Sequence, residues 1–297
     1  MSLRFLILAL LGGATLAPAL AAPLPSDELE RRCWLGSTRE RTRPQLKELT
    51  LVDFSNLRNG FAVRTPFLVE FAVKGMGVVP AGKALPGSGH HHILIDTRLP
   101  IAITDKLPFS DTHKHFGKGQ TSTALDLAPG KHTLRLLFAD HEHRPHFVYS
   151  PEITVEVTGP RKGAAPKVSA EDFGASCAAW YQDESTRPRP PGEAAYISNL
   201  RDGEPLVSPF NVRLAVDGWG ICAKGVATEK CGHFQLDVLR GGKLLQSTDL
   251  ASGATQTNLF LPVGSYTLRT RFVDGATGRA LLPAQDIETS VTASERF

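Results

Sequence analysis

The sequence predicts an all-β protein of two tandem immunoglobulin-like β-sandwich domains behind a cleavable signal peptide. Three observations carry this: an ordered internal repeat, apolar residues alternating with period two, and a short apolar leader with an Ala-x-Ala exit. The expected division is a signal peptide at 1–22, a His-rich sandwich at 23–158, a linker at 159–176 and a degenerate second sandwich at 177–297.

The leader comes first. Arg4, an apolar run over 5–16 and Ala17-Pro18-Ala19-Leu20-Ala21-Ala22 have the charge, core and small-residue exit of a secretory signal. The run is short for a bilayer span, and no later stretch is apolar enough to be one. The expected location is therefore periplasmic or secreted, with no stable membrane insertion after cleavage. Four cysteines in a chain bound for an oxidising compartment suit disulfides. Cys222 and Cys231, nine apart across a Gly-containing turn, suit a local bridge, which leaves Cys33 with Cys177. The net charge of +3 comes from mixed acidic and basic residues, which excludes a nucleic-acid surface.

The repeat organises the rest. Ser55-Asn56-Leu57-Arg58-Asn59-Gly60 returns as Ser198-Asn199-Leu200-Arg201-Asp202-Gly203, and Gly75-Met76-Gly77-Val78 as Gly218-Trp219-Gly220-Ile221, both at an offset of 143. His92 to Asp96 (HILID) matches His233 to Asp237 (HFQLD) at 141, and Thr133-Leu134-Arg135 matches Thr267-Leu268-Arg269 at 134. Phe67, Val69, Phe71 and Val73 alternate, as do Leu134, Leu136 and Phe138, and Ile153, Val155 and Val157. Short β-branched and aromatic runs between Pro/Gly turns read as antiparallel strands, here as sandwiches. Beyond the leader only residues 27–32 offer a short helix.

Nine of the ten histidines fall in the first copy, so the second copy shows the same scaffold without them. Side chains added to a scaffold point to a site. Clustered neutral imidazoles suit divalent transition metals, and i, i+2 residues of a strand face the same way. His90 with His92, His113 with His115, and His141 with His143 are such pairs. Together with His146 they make seven candidate ligands for copper(II) or zinc, since the lack of mature methionines beyond Met76 argues against a thioether copper(I) site. His91, Asp96, Asp111, Asp140 and Glu142 are candidate supporting or alternative ligands. His132, opposite Tyr266 in the repeat, reads as a packing residue. His92 with Asp96, paired to His233 with Asp237, reads equally as a shared structural hydrogen bond. No catalytic motif is complete: Pro145 spoils an H-E-x-x-H helix, and Gly117-Lys118-Gly119 lacks the P-loop setting.

The strings Gly89-His90-His91-His92-Ile93-Leu94-Ile95-Asp96, His115-Phe116-Gly117-Lys118-Gly119-Gln120-Thr121, Pro129-Gly130-Lys131-His132-Thr133-Leu134-Arg135 and Ala139-Asp140-His141 resemble the exported bacterial family known as domain of unknown function 4399. The resemblance covers roughly residues 65–158. It implies a periplasmic β-rich domain and brings no established activity.

The leading expectation is a periplasmic metal-binding protein for storage, delivery or sensing. An alternative is an envelope module that recognises a glycan, peptide or protein partner through the same loops, with Lys118 and Gln120 among its contacts. A metal-dependent enzyme ranks below both, because no general base or substrate pocket is legible.

Overall fold

The computed structural model describes residues 22–44, 51–99, 102, 104–226 and 228–293. The leader at 1–22 lies outside these residues except for Ala22. The first copy is built from β1 (Leu51–Phe54), β2 (Ala62–Thr65), β3 (Phe67–Lys74), β4 (Gly77–Val78), β5 (Ser88–Ile95), β6 (His113–His115), β7 (Ser122–Leu125), β8 (Gly130–Ala139), β9 (Pro145–Tyr149) and β10 (Ile153–Pro160). Helices α1 (Glu28–Gly36) and α2 (Thr38–Arg41) precede it, and α3 (Phe173–Ser185) follows it. The second copy contains β11 (Ala194–Ile197), β12 (Glu204–Val207), β13 (Phe210–Asp217), β14 (Gly220–Ile221), β15 (Cys231–Arg240), β16 (Lys243–Asp249), β17 (Gln256–Leu259), β18 (Gly264–Val273) and β19 (Gln285–Thr292).

Both copies are sandwiches with the same strand order. A small sheet β1-β3-β7 faces the larger β2-β10-β8-β5-β4, to which β6 and β9 add as partners of β5 and β8. In the second copy β11-β13-β17 faces β12-β19-β18-β15-β14, with β16 on β15. The period-two residues predicted to face inwards do so: Phe67, Val69, Leu134, Leu136, Phe138 and Val155 are fully buried. Removing such side chains from water is the main stabilising contribution of each sandwich. Among the described residues no helix is long and apolar enough to cross a membrane, a statement that leaves strand-built spans aside.

Both expected disulfides are present, Cys33–Cys177 and Cys222–Cys231. The short N-terminal helix is longer than residues 27–32. Asp27 caps α1, its Oδ1 accepting from the backbone of Leu29 and Glu30 at 2.9 and 3.0 Å. Helix α3 departs from the sequence reading, which placed no helix there and a linker over 159–176. Strand β10 runs to Pro160 and α3 begins at Phe173. The segment FGASCAAWYQDES has no apolar stripe at helical spacing, so the pattern carries no helix signal. Tertiary contacts hold it: the Cys177 bridge, and the packing of Trp180 with Cys33 and Trp34. Short helices commonly owe their stability to such packing.

The register corrects one alignment. Gly77 and Val78 pair with Ser88 and Gly89, as Gly220 and Ile221 pair with Cys231 and Gly232. His91 lies opposite Phe138, as Phe234 lies opposite Phe272. The offset of 143 therefore continues through β5. His90 corresponds to His233, His91 to Phe234 and His92 to Gln235, two places from the HILID/HFQLD match. A two-residue slip leaves every side chain on its original face, so alternation alone cannot detect it. The equation of His92 and Asp96 with His233 and Asp237 falls with it. Asp96 holds Thr133 N and His132 Nδ1, both at 2.7 Å, whereas Asp237 receives Arg271 Nε at 2.8 Å and Ser247 Oγ at 2.6 Å.

Candidate metal centre

The outer face of β5 carries the centre. His90 and His92 alternate with His91, Ile93 and Ile95, and the latter three point into the sandwich. Strand β6 pairs antiparallel with β5 and sets His115 opposite His92. Ala139 and Leu137 of β8 lie opposite His90 and His92 and join Leu107 and Leu99 in an apolar cluster on this outer side. The turn between β8 and β9 brings in His143. Leu107 N donates to His143 O at 2.9 Å, tying the long loop before β6 to that turn.

Four imidazoles meet there. The Nε2 atoms of His90 and His92 are 3.1 Å apart. His90, His92 and His115 each offer a nitrogen lying within 4.8 Å of the others, a set able to hold a metal ion. The His143 ring centroid is 5.1 Å from that of His90 and 4.8 Å from that of His115. Phe109, 59% exposed, stacks on His115 with centroids 4.5 Å apart.

Protonation and strain both set this cluster apart. Burial, with the neighbouring histidines, lowers the His90 pKa to about 3 and the His92 pKa to about 2. Burial and His143 also lower that of His115. His90, His92 and His115 are thus neutral, the form a metal requires. Buried Nδ1 of His90 and His92 and Nε2 of His115 and His143 have no hydrogen-bond partner among the described atoms. An unsatisfied buried polar atom costs about 1–3 kcal/mol. His143 adopts φ 69°, the value Gly278 has in the equivalent turn of the second copy. A left-handed non-glycine residue costs roughly 1–2 kcal/mol.

The remaining candidate residues lie elsewhere. His91 is fully buried on the opposite face, 5.3 Å from Phe71 and 5.0 Å from Phe138 by ring centroids. His113 contacts Ser110 and Thr112, His141 is exposed, and His146 Nε2 meets Ser88 O at 3.0 Å. Of the carboxylates, Asp111 pairs with Lys114 at 2.8 Å, Glu142 pairs with Arg144, and Asp140 caps the turn through Glu142 N and Arg144 N. Asp96 holds His132, whose contact with Ala128 O repeats the bond from Tyr266 to Pro262 O. That repetition fits the packing role read for His132. Gln120 Oε1 accepts from Lys118 N, and the adjacent Gly119 O accepts from Ile221 N at 2.8 Å, so this turn meets the second copy. Sequence reasoning missed Phe109, which has no period or motif to mark it. A cavity of about 850 Å³ lies between the copies, bordered by Glu70, Arg189, Tyr196 and Asp217 and by no histidine of the cluster.

Fold and centre together define a two-copy β-sandwich protein with a buried imidazole cluster in one copy. Residues 69–158, the span that contains this cluster, match the family described as Domain of unknown function (DUF4399). No curated protein matches the chain. Solved structures with some likeness include the fibronectin(III)-like modules of CbhA from Clostridium thermocellum. That match has 11% identity over 83% of this chain and 98% of that one, with a TM-score of 0.22. CopC from Methylosinus trichosporium OB3b has 18% identity over 36% of this chain and 99% of that one, also with a TM-score of 0.22. At scores this low neither likeness bears on what this chain binds.

Proposed function

We propose that the protein binds one divalent transition-metal ion, copper(II) or zinc, through His90, His92 and His115, with His143 as fourth ligand. The observation that supports this most directly is the convergence of the neutral imidazoles of His90, His92 and His115, the first two fully buried, with the His143 ring beside them. All-nitrogen donor sets suit both metals. The second copy supports the reading from the other side: it keeps His233 beside Asp249 at 2.9 Å, but has Gln235 and Gly278 where the first has His92 and His143. Two disulfides fit a periplasmic or extracellular setting, where the protein would store, deliver or sense the metal.

The test is elemental analysis of tag-free protein, then calorimetric titration with zinc and copper(II). Stoichiometric, submicromolar binding lost in His90→Ala/His92→Ala/His115→Ala supports the reading; unchanged affinity in that variant refutes it. A second reading, an envelope module for a glycan or protein partner, draws on exposed Phe109, whose ring lies against His115 and His143, and on exposed Phe147 and Tyr149 of β9. It requires a ligand whose binding survives a strong chelator.

A further inference from the structure

The repeat extends beyond the sandwiches. Cys33 and Thr42-Arg43-Pro44 recur as Cys177 and Thr186-Arg187-Pro188 at an offset of 144. Thr42 Oγ1 donates to Thr38 O, and Thr186 Oγ1 to Gln182 O, at the same offset. Each repeat unit is therefore a helical segment followed by a sandwich.

Each helical segment docks on the other unit's sandwich. Asn199 Nδ2 of the second copy donates to Arg41 O, and Asn211 N to Thr42 O. Reciprocally, Asn56 Nδ2 of the first copy donates to Ser185 O, and Leu68 N to Thr186 O. The sandwiches also meet reciprocally, with Val78 N donating to Gly253 O at 3.0 Å and Ile221 N to Gly119 O at 2.8 Å. Paired, exchanged contacts of this kind are what a two-fold axis produces in a homodimer. Cys33–Cys177 joins equivalent residues across that axis.

The two docking sites differ in buried charge. In the second copy the sandwich supplies Glu204, 0% exposed, to Arg41, Thr38 and Trp34 of the arriving segment. In the first copy the sandwich side supplies Arg64 and Arg161 to Asp183 of α3, at 2.7 and 2.8 Å. Were α3 to dock on its own sandwich, Gln182 and Ser185 would take the places of Thr38 and Arg41 and leave Glu204 buried without its charge partner; were the first segment to dock on its own, Arg39 would take the place of Asp183 beside Arg64 and Arg161. Like charges brought together out of water cost several kcal/mol.

We infer that the chain is a fused, helix-exchanged pseudo-dimer, in which each sandwich takes the other unit's helical segment as its partner and buried charge fixes the exchange. The linker and the disulfide are then not what holds the halves together.

The test uses the full chain with a specific protease site placed within 162–168 and with Cys33→Ser/Cys177→Ser. After folding and cleavage, the two fragments co-elute at the size of the intact protein. Separation into two folded, independently eluting halves overturns the inference. A second measurement keeps it falsifiable if that variant folds poorly: hydrogen exchange on the intact chain carrying Asp183→Asn. Exchange rises at least about tenfold in β2 and β10 of the first copy, because Arg64 and Arg161 lose their buried partner, while β12 and β19 are unchanged. Loosening of β12 and β19 with β2 and β10 unaffected overturns it.

Discussion

His91→Phe separates the buried histidine of the sandwich interior from the four outside it. His91 is fully buried between Phe71 and Phe138, and the second copy carries Phe234 at the same place. Burial lowers its pKa to about 3, outweighing a backbone contact at Gln120 that acts the other way. Above pH 6.5 the ring is neutral whether the chain is folded or not, and it adds no pH dependence. As pH falls below 6.5 the unfolded chain takes up a proton that the folded chain refuses, so stability is lost down to about pH 3. The loss is about 1.4 kcal/mol per pH unit, or roughly 3 kcal/mol at pH 4. Phenylalanine removes that proton. Urea unfolding of metal-free protein, followed by far-UV circular dichroism at pH 7 and pH 4, measures the difference. The variant's stability relative to the native chain should rise by about 3 kcal/mol between the two pH values, with metal affinity at pH 7 unchanged. Parallel pH profiles would refute both the burial and the neutrality assigned to His91.

The site makes sharper distinctions among its histidines. Replacing His92 or His115 with Ala lowers metal affinity at least about a hundredfold in titration, while His113→Ala and His141→Ala leave it within error. His143→Gly relieves the left-handed backbone, raising metal-free stability by about 1 kcal/mol in urea unfolding while weakening metal binding. Glu204→Gln strips Arg41 of its buried partner, and thermal unfolding should show a loss of about 3 kcal/mol. Cys222→Ser/Cys231→Ser opens a short loop and costs about 2–3 kcal/mol by the same assay.

Much of the fold was legible because a strand writes its two faces into the sequence at period two. Phe67 to Val73 and Leu134 to Phe138 declared themselves that way, and the repeat located the second sandwich without further help. The site was legible in outline. Three H-x-H pairs and His146 named His90, His92, His115 and His143 together with His113 and His141, and spacing offered no means of dividing the set. Pairing with β5 places His115 over His92, and the turn after Ala139 aims His143 inwards while His141 faces solvent. His91 sat between two candidate ligands in sequence and lies across the sheet from them in space.

By itself the sequence determined the class of fold and the duplication, favoured the Cys222–Cys231 bridge and drew attention to the histidines of the first copy. Only the tertiary structure decided the two-place register of β5, the existence of α3, the exchange of helical segments between copies and which imidazoles meet. Period two fixes a side chain's face but not its partner, and α3 carries no period at all. The register of β5 rests on pairings such as His92 with His115 and His91 with Phe138, and α3 on contacts between residues more than a hundred positions apart, such as Cys33 with Cys177 and Asp183 with Arg64; no local pattern records either.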